Sequence, residues 1–183
     1  FILKNKDKTY KFESQLKGEY NVYNLTASII VCILENMKIE TIIKKIKKVN
    51  NIPGRREYLN FGQNYTLVLD YAHTENGIRK IVDSFKNKNK RITVVTGQAG
   101  GREVEKREKI GKYLLNNVDE VIFTMDDPRY ENVNDIIDQM IGEEKSKNYK
   151  RIVDRKEAIN YALKNAKKDE IILVLGKGRD KYM

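Results

Sequence analysis

Four short stretches hold most of the residues in this chain that could do chemistry: Asp70-Tyr71-Ala72-His73-Thr74, Gly97-Gln98-Ala99-Gly100-Gly101-Arg102, Asp126-Asp127-Pro128-Arg129 and Gly176-Lys177-Gly178-Arg179-Asp180. Glycines ahead of a helix let backbone N–H groups approach an anion, and the helix dipole adds to the attraction. The second and fourth stretches have that form, with Lys177 a point charge for phosphate or carboxylate. Asp126 and Asp127 set two carboxylates beside the guanidinium of Arg129. The single histidine, His73, follows Asp70 by three residues. Taken singly, each stretch also has a plain structural reading. Glycine turns after strands are common, an aspartate pair can be a capped turn with a surface ion pair, and a lone histidine is more often structural than catalytic. No nucleophile and base pairing stands out, and no metal-ligand spacing. The phosphate loop G-x-x-x-x-G-K-[ST] is missing as well. A nucleotide handled by this chain would therefore meet it through base, ribose or reacting end, with its phosphates held by another domain.

What positions these stretches is an alternation of strands and helices. Residues 66–70 (TLVLD), 91–96 (RITVVT), 118–124 and 170–175 (EIILVL) are strands rich in apolar and branched residues. Helical periodicity follows the first three, in Ile78, Ile81, Val82 and Phe85, then Ile110, Tyr113 and Leu114, then Val133, Ile136, Ile137, Met140 and Ile141. Residues 151–153 are expected to add a short strand, and Asp154 with Glu157 reads as a capping box opening a helix over Ala158, Ile159, Ala162, Leu163 and Ala166. Strands that are continuously apolar have no face free for water, so they imply a parallel sheet covered on both faces. The fold class is α/β, doubly wound. In such sheets ligands bind beyond the carboxyl ends of the strands, where all four stretches lie.

The first 52 residues read differently. Residues 9–17 suggest a strand or hairpin. Residues 25–34 are apolar almost all round, which describes a helix buried on several sides and in need of neighbours. Ile39, Ile42, Ile43, Ile46 and Val49 then recur at helical spacing, with Lys44, Lys45, Lys47 and Lys48 on the opposite, solvated face. Asn50-Asn51-Ile52-Pro53-Gly54 breaks the helix and places a domain boundary between 1–52 and 53–183.

The 183 residues carry 36 Lys+Arg against 26 Asp+Glu, a formal charge of +10, with a pI near 9.5. That balance admits nucleic acid, acidic lipid and anionic small molecules as partners. One cysteine excludes an internal disulfide and a zinc site built on cysteines; Cys32 lies in an apolar run, so a buried thiol in a cytosolic protein is expected. The longest apolar stretch is interrupted by Thr26 and Ser28 and falls far short of the roughly 20 residues a bilayer needs. Neither a transmembrane helix nor a secretory signal is expected. The chain begins Phe1-Ile2-Leu3 and stops soon after a strand, so it is read as a fragment of a longer protein.

Read together, the stretches resemble a known family. Residues 18–27, Gly18 to Ala27, resemble the G-x-x-N-x-x-N-x-x-A motif of the Mur ligases, ATP-dependent amide ligases that build the peptidoglycan stem peptide. Pro53-Gly54-Arg55-Arg56-Glu57 looks like their P-G-R-x-E hinge, and residues 70–74 match D-Y-A-H-T/N. Residues 97–107 align with the G-x-G-G-D-R-D-x-x-K-R loop of the MurE branch, Asp126 to Arg129 with its D-N-P-R, and Gly176 to Asp180 with its G-K-G-H-E.

The resemblance implies that residues 1–52 are the tail of a central ATPase domain and residues 53–183 a C-terminal Rossmann-like domain. It implies ATP and magnesium as cofactors, the magnesium ligands lying in an earlier part of the protein, and UDP-MurNAc-dipeptide and an amino acid as partners. No nucleic-acid or membrane partner is expected on this reading, and the location is cytoplasmic. The implied nucleotide-binding residues are Asn21, Asn24, Arg55, Asp70 and His73; those implied to hold the incoming amino acid are Arg102, Asp126, Asp127, Arg129, Gly176 and Asp180. In the family the arginine of D-N-P-R pairs with the distal carboxylate of meso-diaminopimelate. A guanidinium fork suits a carboxylate, whereas it repels the ammonium of lysine, so Arg129 favours a diamino diacid.

Departures from the pattern bear on the substrate. Asp127 replaces asparagine, Gly101 aspartate, Arg179 histidine, and Asp180 glutamate. They leave open a related diamino acid such as meso-lanthionine, or a MurE-like paralogue. A stand-alone Mur-like binding domain and a basic nucleic-acid-binding module are the alternatives of other classes. The fragment alone is expected to be inactive, and its apolar helix at 25–34 to drive dimerisation.

Overall fold

The computed structural model describes residues 1–86, 89–143 and 148–180. The chain falls into two compact units, Phe1–Ile52 and Pro53–Met183.

In the first unit, β1 (Ile2–Asn5) and β2 (Lys8–Lys11) form an antiparallel hairpin. They are followed by α1 (Tyr20–Leu34) and α2 (Ile39–Ile46). Phe12, Leu25, Ile29, Ile42 and Ile46 make a small core, with the Phe1 ring stacked on Phe12 at 5.4 Å. Helix α1 buries only one stripe, Asn21, Leu25 and Ile29. Ile30, Val31, Ile33 and Leu34 are exposed, so the expectation of a helix buried on several sides is not met within this chain. Cys32 is half-buried rather than buried. The lysine face of α2 is exposed as expected, with Lys47 Nζ 2.7 Å from Glu13 Oε2.

The second unit is a six-stranded sheet with helices on both faces. In chain order it comprises β3 (Glu57–Leu59), β4 (Thr66–Asp70), α3 (Glu75–Lys86), β5 (Ile92–Thr96), α4 (Glu105–Asn117), β6 (Glu120–Phe123), α5 (Val133–Ile141), β7 (Tyr149–Arg151), α6 (Arg155–Lys164) and β8 (Ile171–Leu175). The strand order is β3-β4-β8-β5-β6-β7. All neighbours are parallel except β3, which runs antiparallel to β4.

Burial explains the apolar runs. Alternate residues of a strand face opposite sides, and in β8 Ile171, Leu173 and Leu175 join one core while Ile172 and Val174 join the other. Helices α3, α4 and α5 supply the first core through Ile78, Phe85, Ile110, Leu114, Ile137 and Met140. Helix α6 supplies the second through Ala158 and Ala162. Asp154 Oδ1 accepts from the Glu157 N–H at 2.8 Å, the expected cap of α6. The short strand expected at 151–153 is found as Tyr149–Arg151. Among the described residues no helix is long and apolar enough to cross a membrane.

Candidate functional site

Because β4, β8, β5 and β6 are adjacent and parallel, their carboxyl ends bring residues 70–74, 176–180, 97–102 and 124–129 to one edge of the sheet. Between them lies a cleft of about 160 Å³. Of the residues singled out in the sequence, His73, Arg102, Asp126, Asp127, Gly176 and Asp180 line it. Tyr71, Gln98, Ala99, Lys106 and Lys177 complete the lining. Lys106, in the first turn of α4, falls on the lysine of the motif aligned over residues 97–107, and that match could have signalled it. Lys177 sits inside a glycine loop already noted.

The lining is mixed in charge. Lys177 Nζ is 3.6 Å from Asp126 Oδ1, and both side chains are largely buried. Gly176 is required beside them, since a methyl group there would lie 2.6 Å from Asp126 Oδ2. His73 places Nδ1 3.0 Å from the Tyr71 carbonyl. That carbonyl can only accept, so in the neutral ring Nδ1 carries the proton and Nε2 is left as an acceptor.

Two buried arginines hold the loops. Arg107, fully buried, donates to Glu131 through both terminal nitrogens, at 2.6 and 3.0 Å, to Gln139 Oε1 at 2.6 Å and to the Ala99 carbonyl at 2.9 Å. Glu131 also accepts from the Gly101 N–H. The bonds from Arg107 first, and then that from Gly101, pull the Glu131 carboxyl down to about 2. The loops after β5 and β6 are thus clamped together. Arg155 donates to the carbonyls of Met125 and Leu175 and so bridges the loop after β6 to the end of β8. Arg107 closed the motif aligned over residues 97–107 but was given no role there, and Arg155 was not singled out, because what a buried cation does is recognisable only once its partners are in place.

The remaining expected residues stand outside the cleft. Arg129 is exposed, in the left-handed region at φ 50°, with Nε 3.9 Å from Asp127 Oδ2. Asp70 is buried and accepts from the N–H groups of Arg56 at 2.6 Å and Ala72 at 2.7 Å. Arg55 lays its guanidinium over the Tyr71 ring at 4.1 Å. Arg179 pairs with Glu57 instead of adding charge to the cleft. Asn21 and Asn24 belong to the first unit, where Asn21 Nδ2 donates to the Lys17 carbonyl at 2.8 Å and Asn24 Nδ2 to Asn21 Oδ1 at 3.3 Å.

Among the described residues no group of three or more His, Cys, Asp or Glu side chains is placed to hold a metal ion. Three carboxylates and three cations line this small volume, with Lys106 also paired to Glu103, a set that suits a small zwitterion: ammonium groups toward Asp126, Asp127 and Asp180, carboxylates toward Arg102, Lys106 and Lys177.

A doubly wound α/β unit whose site is built from loops at the carboxyl edge of its sheet defines the class, and the chain belongs to the Mur ligase family: residues 54–178 match its glutamate ligase domain. The UDP-N-acetylmuramoyl-L-alanyl-D-glutamate–2,6-diaminopimelate ligase of Bacillus cereus is 38% identical over 169 residues, covering 92% of this chain and 34% of that protein. The ligase of the same name from Clostridium tetani is 34% identical over 185 residues, covering 100% of this chain and 38% of its own length. The chain thus spans about a third of the length of these relatives. A solved structure of a ligase of that name superposes with a TM-score of 0.68 at 27% identity, over 100% of this chain and 38% of the other. A pseudomurein peptide ligase type C from Methanothermus fervidus shares the fold, with a TM-score of 0.71 at 23% identity over 97% of this chain and 37% of its own.

Proposed function

We propose that this chain is the C-terminal part of an ATP-dependent ligase that adds a diamino acid, meso-diaminopimelate or a close relative, to UDP-MurNAc-L-Ala-D-Glu in peptidoglycan synthesis. The observation that carries the reading is the mixed-charge cleft at the convergence of four strand ends, together with the names of the relatives. Residues 1–52 are then the tail of the central ATPase domain and residues 53–183 the amino-acid-binding domain.

ATP supplies a phosphoryl group that makes the dipeptide carboxylate an acyl phosphate, ADP leaving. The unprotonated amine of the incoming amino acid then attacks the acyl carbon; phosphate leaves, the amine loses a proton and an amide remains. The contribution of this chain is positioning. Asp126, Asp127 and Asp180 orient the amine end, Arg102, Lys106 and Lys177 a carboxylate. Arg129, whose ion pair among the described residues is the long, half-exposed contact to Asp127, turns toward the distal carboxylate of a diamino diacid. On the nucleotide side we assign Asn21, Asn24, Arg55, Asp70 and His73. Both Asp70 oxygens already accept a backbone N–H, yet each retains a lone pair for a ribose hydroxyl. Magnesium is assigned to the part of the protein outside this third.

The test is the full-length enzyme assayed with meso-diaminopimelate, meso-lanthionine and lysine. A diamino diacid is expected to be used in preference to lysine, and Arg129→Ala to narrow that preference by about tenfold or more, the loss of one charge-assisted contact. Equal use of lysine, unchanged in Arg129→Ala, would remove the assignment.

A further inference from the structure

The turn that opens the second unit is fastened to two walls of the cleft without lining it. Glu57, the first residue of β3, is 3% exposed. Its carboxylate accepts from the Gly54 N–H at 2.8 Å and from Arg179 Nε at 2.8 Å, with Arg179 Nη2 on its other oxygen. The two backbones cross there with no room for side chains. A methyl group at Gly54 would lie 2.9 Å from the Arg179 nitrogen, and one at Gly178 would lie 3.0 Å from the Gly54 carbonyl oxygen. On the same turn the Arg56 N–H is bound to Asp70 and the Arg55 guanidinium covers Tyr71, which meets His73 edge-on at 5.2 Å.

Arg179 lies between Lys177, two residues before it, and Asp180, directly after it, both of which line the cleft. A bidentate guanidinium–carboxylate pair fixes direction as well as distance. We infer that Glu57 and Arg179 are positioning residues for the amino-acid site: their clamp sets the loop after β8 so that Lys177 and Asp180 face the cleft. Affinity for the amino acid thereby depends on two side chains that do not touch it. The inference rests on the proposal that the cleft holds the incoming amino acid.

The full-length ligase tests it through steady-state kinetics of Arg179→Ala, Arg179→Lys, Glu57→Gln and the Glu57→Gln/Arg179→Ala double variant, with melting temperatures alongside. Arg179→Ala is expected to raise KM for the diamino acid about tenfold while KM for ATP stays within about twofold. The side chain of Arg179 is 57% exposed, so this variant keeps its fold even where Glu57→Gln does not. The double variant should be no worse than the more affected single, the mark of residues acting as a unit. Arg179→Lys should recover part of the affinity, since it restores the charge without the fork. An unchanged amino-acid KM in Arg179→Ala, or an equal rise in every KM, overturns the inference. A wild-type enzyme that uses no diamino acid removes the functional proposal and the inference with it, whereas an enzyme that uses one and ignores Arg179→Ala removes the inference alone.

Discussion

Arg155 donates through Nη2 to the carbonyl of Leu175 at 2.8 Å, and through Nη1 to that of Met125 at 3.2 Å. One guanidinium thereby ties the end of β8 to the loop that carries Asp126. Burial lowers its affinity for a proton and the nearby Asp126 carboxylate raises it, yet guanidinium remains a cation throughout the accessible pH range. Arg155→Met keeps the bulk of the stem and leaves two carbonyls short of a donor. Its expected cost is about 2–4 kcal/mol, read from urea unfolding. Arg155→Lys should recover less than half of that, because one ammonium cannot span both carbonyls in the manner of a fork.

Glu131 predicts a dependence on pH. Its carboxyl is lowered from 4.5 to about 2 by Arg107 and Gly101. A depressed carboxyl contributes stability that is fully present above its unfolded value and is lost as pH falls through its folded value. The melting temperature should therefore decline between about pH 4.5 and 2, and Glu131→Gln should flatten that part of the profile measured by calorimetry. An unchanged slope would show that the clamp between the two loops does not depend on the ionised carboxylate.

Two glycines separate stability from binding. A methyl group at Gly97 would lie 2.1 Å from the Thr124 carbonyl oxygen and 3.0 Å from the Asp126 nitrogen, and at Gly111 1.6 Å from the Met140 carbonyl oxygen. Backbone atoms cannot yield as a flexible side chain can, so both alanine variants should lose about 1–3 kcal/mol through overpacking. Gly97→Ala should also raise the amino-acid KM by moving Asp126, whereas Gly111→Ala, between α4 and α5, should not.

The uncovered face of α1 carries Ile30, Val31, Ile33 and Leu34, with relative exposures of 51%, 57%, 42% and 73%. The 183-residue chain by itself is expected to associate through that face. Light scattering should find a dimer, and Ile30→Glu with Leu34→Lys should return a monomer. A wild-type chain already monomeric at high concentration would refute this.

Strands β4, β5, β6 and β8 were legible in the sequence because burial on both faces writes a continuous apolar run. Strand β3 was not. It has three residues, begins with a buried glutamate and exposes Tyr58, so neither an apolar run nor a regular alternation marks it. The polar edge strand β7 was expected two residues too late for a similar reason. The site loops stood out through glycine, proline and aspartate at strand ends, whereas Glu57 and Arg179, 122 residues apart, carry no local sign of their pairing. Arg129 belonged to a recognisable run, yet whether its side chain enters the cleft depends on a backbone turn at φ 50° that residue type alone does not fix. The apolar periodicity of α1 announced a surface in need of cover and could not say which neighbour supplies it.

The strand order has a consequence for biosynthesis. The last of the described strands in sequence, β8, pairs with β4 through Thr66↔Ile171 to Asp70↔Leu175 and with β5 through Ile92↔Ile171 to Val95↔Val174. Until the ribosome releases those residues, the nascent domain is two separate ribbons, β3 with β4 and β5 with β6 and β7, whose facing edges are open to wrong partners. A premature stop codon anywhere before Ile171 would leave both ribbons unjoined, whereas one shortly after Leu175 would spare the sheet and remove the loop that carries Lys177 and Asp180.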